Sequence, residues 1–137
     1  MGYYMELMES NFTMLKENQD AALAAIKALA GKETIEDSSG MHFSWVDTED
    51  FLKAKTVHDA LKEWHWETQV NPKGDIFDLY FTGEKLGDDA VLFEAIAPYV
   101  EDGYIQMKGE DDDVWRWVFK GGQMRELPGT VTITFPE

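Results

Sequence analysis

Two runs of alternating residues, 104–108 and 114–120, are separated by Gly109-Glu110-Asp111-Asp112-Asp113. Alternation at period two marks a half-buried strand, and two such runs around a short polar turn predict an antiparallel hairpin. In the second run Trp115, Trp117 and Phe119 fall on one face, while Val114, Arg116, Val118 and Lys120 fall on the other. A face with two tryptophans and a phenylalanine calls for cover, because aromatic side chains carry much of the apolar area that a core buries. The chain therefore needs an antiparallel sheet with something packed on one side, and the four carboxylates of the turn belong at a solvated tip.

The rest of the chain supplies the cover. Residues 2–14 alternate as a strand, with Tyr3, Met5 and Leu7 on one side, until Phe12 and Met14 change parity; a bulge near Glu9-Ser10-Asn11 is expected. A helix follows from about 18 to 30, where Ala22, Ile26 and Leu29 share a face and Gly31 stops it. The polar stretch 31–40 is expected to be a surface loop and 41–46 a short strand, with Phe43 and Trp45 on one side. Asp47-Thr48-Glu49-Asp50 can start a helical turn. Thr56 stands three residues before Asp59, a capping pattern for a helix that lines up Val57, Leu61 and Trp64.

Residues 65–70 and 76–82 flank Asn71-Pro72-Lys73-Gly74 as a second hairpin, with Phe77, Leu79 and Phe81 as the buried face. Asp88 is placed to cap a helix carrying Leu92, Phe93 and Ile96, which Pro98 ends. Further strands are expected at 123–127 and 130–135. The order β-α-β-α-β-β-α-β-β-β predicts a single α+β domain over residues 1–137, a mostly antiparallel sheet with about three helices on one face. The ββαββ stretch 66–120 fits part of a ferredoxin-like layer.

With 137 residues, 44% of them apolar, the chain can bury a substantial core. Charge narrows the function. Against 27 Asp and Glu stand 12 Lys and Arg, a net charge of −15. Such a field repels nucleic acid, whose binding draws on protein cations to displace counterions, and it disfavours anionic membrane surfaces for the same reason. It suits a basic protein partner, or solubility alone. No run approaches the ~20 apolar residues of a membrane span and the first residues do not read as a secretory signal, so the expected compartment is the cytoplasm. The absence of cysteine removes disulfides, thiolate metal sites and cysteine nucleophiles.

Catalytic signals are weak. None of the three histidines, His42, His58 and His65, forms an HExxH or His-x-His pair. His42 or His65 with Asp75, Asp78 or Glu67 is the enzymatic alternative, acting on a small ligand or through a metal, and it requires those groups to converge. Glu110 to Asp113 resemble a calcium loop only in charge. With Asp111 first, Arg116 and Gly122 stand where an EF-hand needs glycine and glutamate. No phosphate-binding glycine loop and no nucleophile elbow occurs, and neither a cofactor nor a metal is expected.

Ser10-Asn11-Phe12 before a helix, His42-Phe43-Ser44-Trp45-Val46, the stretch Tyr80-Phe81-Thr82-Gly83-Glu84-Lys85-Leu86-Gly87, Ala97-Pro98-Tyr99-Val100-Glu101-Asp102-Gly103 and Trp115-Arg116-Trp117 resemble a family of small uncharacterised acidic proteins of bacteria and their phages. The resemblance implies a phage or mobile-element setting, in which small acidic proteins act as inhibitors of host nucleic-acid machinery. The leading expectation is a non-enzymatic binding module, an anti-defence inhibitor that imitates nucleic-acid charge and blocks a basic groove of a host protein. Its contact carboxylates would be Asp47, Glu49, Asp50, Glu84, Asp88, Asp89, Glu110, Asp111, Asp112 and Asp113, with further acids at 101–102. A purely structural or assembly role is the third alternative.

Overall fold

The computed structural model describes residues 2–38, 40–130 and 134–136. Strand β1 (Tyr3–Asn11) changes register between Leu7 and Glu9, so the bulge falls at Met8, slightly earlier than the parity switch suggests. One extra residue is what lets Met5 before it and Phe12 and Met14 after it all reach the core. Helix α1 (Gln19–Lys27) buries Ala22 and Ile26, with Leu29 just beyond its end. Gly31 follows at φ 94, a left-handed conformation natural to glycine after a helix.

Two expectations fail in the next segment. The stretch 31–40 is not wholly loop: β2 (Ile35–Asp37) pairs antiparallel with β3 (Gly40–His42). The strand expected at 41–46 ends at His42, because the Val46 N–H turns back to the Phe43 carbonyl at 3.1 Å. That turn buries Phe43 and Val46 and sends Trp45 outward, 48% exposed and at φ 66. Helix α2 (Thr48–Leu52) starts where the Asp47 carboxylate accepts from the Glu49 N–H at 2.9 Å and the Asp50 N–H at 3.4 Å. Helix α3 (Val57–Glu63) starts where the Thr56 hydroxyl accepts from the Asp59 N–H.

Strands β4 (Trp66–Val70) and β5 (Ile76–Phe81) form the second hairpin. Its inner face is Ile76, Leu79 and Phe81, and Phe77 is 51% exposed. The reason is a bulge: Val70 pairs with Ile76 and Gln69 with Asp78, which leaves Phe77 as the extra residue. Ile76 is aimed inward by paired backbone hydrogen bonds to Met14, both 2.9 Å. After the short β6 (Lys85–Leu86) come α4 (Asp89–Ile96), β7 (Gly103–Gly109), β8 (Val114–Lys120) and β9 (Gln123–Pro128). The strand expected at 130–135 has its centre, 131–133, outside the described residues.

The fold is α+β. Its main sheet is antiparallel and curled, ordered β6-β1-β7-β8-β9. β4 and β5 make a separate pair, so 66–120 does not form one ferredoxin-like layer; both edges of β7 are taken, by β1 and by β8. The inner sheet face carries Met5, Ile105, Met107, Trp117 and Phe119, and α4 lays Leu92, Phe93 and Ile96 beside them. α1 packs on α4 and α3, and α2 packs on α3. Trp66 joins the two layers: its ring lies 4.9 Å from Phe81, 5.1 Å from Phe93 and 6.2 Å from Trp117. Trp115, half-buried, continues the stripe at 5.9 Å from Trp117.

Candidate functional site

The acidic tip between β7 and β8 is closed by the Gly109 N–H donating to the Asp113 carbonyl at 2.8 Å. It does not stand alone. β1 runs antiparallel to β7 with Met5 opposite Gly109, which sets Tyr3 and Tyr4 against the turn. The Tyr3 hydroxyl donates to the Asp113 carboxylate at 2.7 Å, and the Tyr4 N–H donates to the Glu110 carboxylate at 2.7 Å. Donation to Asp113 raises the Tyr3 pKa above its ordinary value. The Glu110 and Asp113 carboxylates, at the two ends of the turn, are thus held at fixed places on the end of a sheet.

β6 brings a second acid to the same place. Tyr4 pairs with Lys85, and the Met5 N–H donates to the Glu84 carbonyl at 3.0 Å. Glu84, Glu110, Glu6, Tyr4 and Lys108 line an open cleft of about 440 Å³. Beyond the tip, Tyr3, Asp112, Asp113, Trp115 and Glu126 line another of about 530 Å³. Lys85 lies 5.1 Å from both the Tyr4 and Trp45 rings, so the segment leading into Asp47, Glu49 and Asp50 borders this end as well. All three of those carboxylates are exposed.

Other expected contact residues lie elsewhere. Asp89 is only 5% exposed: its carboxylate accepts from the Trp66 indole N–H at 2.9 Å and the Gly87 N–H at 3.0 Å, so it faces the core and not a partner. Asp88 sits at the start of α4 without capping it, because its carboxylate accepts from the Ser44 N–H at 2.8 Å. Asp102 holds the Gly121 N–H at 3.0 Å, at the far end of β7 from the tip. Sequence reasoning missed Tyr3, Tyr4, Glu6 and Glu126. They reach the tip through strand pairing across the chain, which leaves no local signal.

Burial lifts the Asp89 carboxyl above the ordinary carboxylate range, and the Trp66 indole pulls it partly back. A raised folded-state pKa means that the stabilisation is complete below the unfolded value, about 3.9, and is lost as pH rises through the folded one. Urea unfolding from pH 4 to 7 is expected to show the stability advantage of wild type over Asp89→Asn shrinking as pH rises. A pH-independent difference would contradict the assignment.

The histidines are engaged separately. The His65 Nε2 meets the Trp45 carbonyl at 2.7 Å, in a left-handed turn between α3 and β4; it is not on a strand. The His42 Nδ1 lies 2.9 Å from the Phe43 carbonyl, and His58 Nδ1 lies 2.8 Å from the Thr68 hydroxyl. Asp75 accepts from the Lys16 N–H at 2.8 Å, and Asp78 accepts from the Ser10 hydroxyl. His65 also acts electrostatically on the Asp89 carboxylate. Among the described residues no group of three or more His, Asp and Glu converges as metal ligands, and no helix is long and apolar enough to cross a membrane.

No protein-family model matches the chain, and neither a curated protein nor a solved structure matches it.

Proposed function

We propose that the chain is a non-enzymatic binding module whose acidic rim engages a basic protein, imitating nucleic-acid charge in a lysine- and arginine-lined groove. The rim is Glu84 with Glu110 to Asp113, flanked by Glu6 and Glu126; Asp47, Glu49 and Asp50 are exposed acids on the segment that follows Trp45. The observation that carries this reading is the pinning of the tip by Tyr3 and Tyr4. Charges already ordered lose less conformational entropy on binding than charges on a loose loop. Charge of this kind speeds encounter and selects partners, and the aromatic ring of Tyr4 at the cleft can add contact area. Set beside the resemblance to proteins of bacteria and their phages, the module is an inhibitor of a host nucleic-acid-binding protein, working in the cytoplasm.

The combined variant Glu110→Gln, Asp111→Asn, Asp112→Asn, Asp113→Asn keeps acceptors for the Tyr3 and Tyr4 bonds, and asparagine tolerates the left-handed backbone at 112, so the fold is retained. Affinity capture from host extract should recover a nucleic-acid-binding protein that duplex DNA and added salt both displace. The variant should hold that protein at least roughly tenfold more weakly. A captured protein indifferent to DNA, or held equally by the variant, would refute the proposal.

A further inference from the structure

On the outer face of the main sheet β1 carries Glu6 and Glu9 opposite Lys108 and Gln106, whereas the β8–β9 half has the opposite character to the rim. Strand register places Lys108, Arg116, Lys120 and Arg125 on that face, four of the 12 Lys and Arg in a chain of net charge −15. On β8 and β9 the outward positions alternate Arg116, Lys120 and Arg125 with Val114, Val118 and Leu127, and hold no carboxylate. Arg125 pairs with Val118, which makes it the diagonal neighbour of both Arg116 and Lys120, at about 7–8 Å. At that range salt screens their repulsion only in part.

Among the described residues Arg116 has one ion-pair partner, Glu9 at 3.9 Å, whereas Lys120 and Arg125 have none. Arg116 is also held in place, with its Nε donating to the Gln106 side-chain Oε1 at 2.7 Å and its guanidinium 4.0 Å above the Tyr104 ring. A guanidinium so oriented is prepared for a carboxylate.

We propose that the β8–β9 half of the outer face docks an acidic polypeptide segment with apolar side chains between its carboxylates. The motive is charge complementarity: exposed cations gathered on the β8–β9 half of the face, Lys120 and Arg125 without an ion-pair partner among the described residues, with aliphatic side chains set among them at the strand repeat. Nucleic acid fits less well. The Tyr104 ring is already covered by Arg116 and the Tyr4 ring by Lys85, so neither offers a bare stacking platform. A long polyanion also meets the whole field of −15, whereas a short acidic segment feels mainly the nearby cations. The inference is independent of the acidic rim: Arg116, Lys120 and Arg125 take no part in it, and of the four cations only Lys108 borders both.

The probe is a short capped peptide alternating glutamate with leucine, titrated into the full chain at low salt and followed by amide chemical shifts. The expected result is saturable binding with shifts confined to β7, β8 and β9, weakened roughly tenfold or more in Lys120→Gln with Arg125→Gln. Both substituted side chains are exposed, and the shift map on the unaltered chain stands without the variant. Four results would overturn the proposal: no saturable binding, shifts elsewhere, equal binding by the double variant, or tighter binding of an oligodeoxythymidylate of equal charge. Dimerisation in sedimentation that the double variant abolishes would also overturn it, since the face would then belong to a second copy.

Discussion

Trp66→Ala is expected to lower the unfolding free energy by about 4–5 kcal/mol, a large part of what a domain of this size commonly has. Trp66 is fully buried and touches rings from three elements, Phe81 on β5, Phe93 on α4 and Trp117 on β8. Truncation therefore opens a cavity where the hairpin, the helix and the sheet meet, and none of the three can collapse into it without leaving the other two. The indole N–H is lost as well, which removes a donor from the buried Asp89 carboxylate. Trp66→Phe separates these effects. It keeps most of the ring and loses the hydrogen bond, at about 1–3 kcal/mol. Because that donor favours the ionised form of Asp89, the Trp66→Phe penalty should grow as pH rises through the raised Asp89 pKa. Urea titrations followed by circular dichroism read both. A Trp66→Ala loss below about 2 kcal/mol would mean that the junction is looser than the ring distances imply.

Gly103→Ala is the second large effect, about 3 kcal/mol. A Cβ at this position would clash with the Asn11 carbonyl oxygen, and that neighbour is backbone of the paired strand, not a side chain that can swing away. Relief requires β1 and β7 to separate at this end, where Asn11 pairs with Tyr104 and the Glu101 N–H reaches the Thr13 carbonyl at 2.9 Å. Hydrogen exchange should accelerate at Glu101 and Tyr104 and leave the tip end of the ladder protected. Gly31→Ala is the control: its φ of 94 carries a strain of about 1–2 kcal/mol, but nothing stands within 4 Å of the added carbon. If Gly103→Ala costs no more than Gly31→Ala, the close approach is not tight in solution.

Local pattern and chain-spanning contact divide what could be read in advance from what could not. The Thr56 cap, the α1 stripe and both hairpins are decided within a few residues, and there the pattern was sufficient. Phe77 looked buried because strict alternation makes it so, but a single bulge residue inverted it in favour of Ile76. Asp89 looked like one more exposed acid beside Asp88. Its burial depends on the Trp66 indole, which no spacing in α4 reveals. Of the rim, Glu110 to Asp113 were visible as a charge run and Glu84 as a member of another. That they share one end of the sheet follows from β1 pairing with both β6 and β7, partnerships between distant parts of the chain that only the folded molecule displays.

The flanks of the main sheet bear on how copies of this molecule meet. One border strand, β6, is two residues long, and the other, β9, displays Arg125 and Glu126 and ends at Pro128, which has no amide hydrogen to offer. A strand from a neighbouring molecule finds little ladder to extend on either side. Fibril-like templating is thereby blunted by the geometry of the borders themselves, before the mutual repulsion of like-charged molecules is considered.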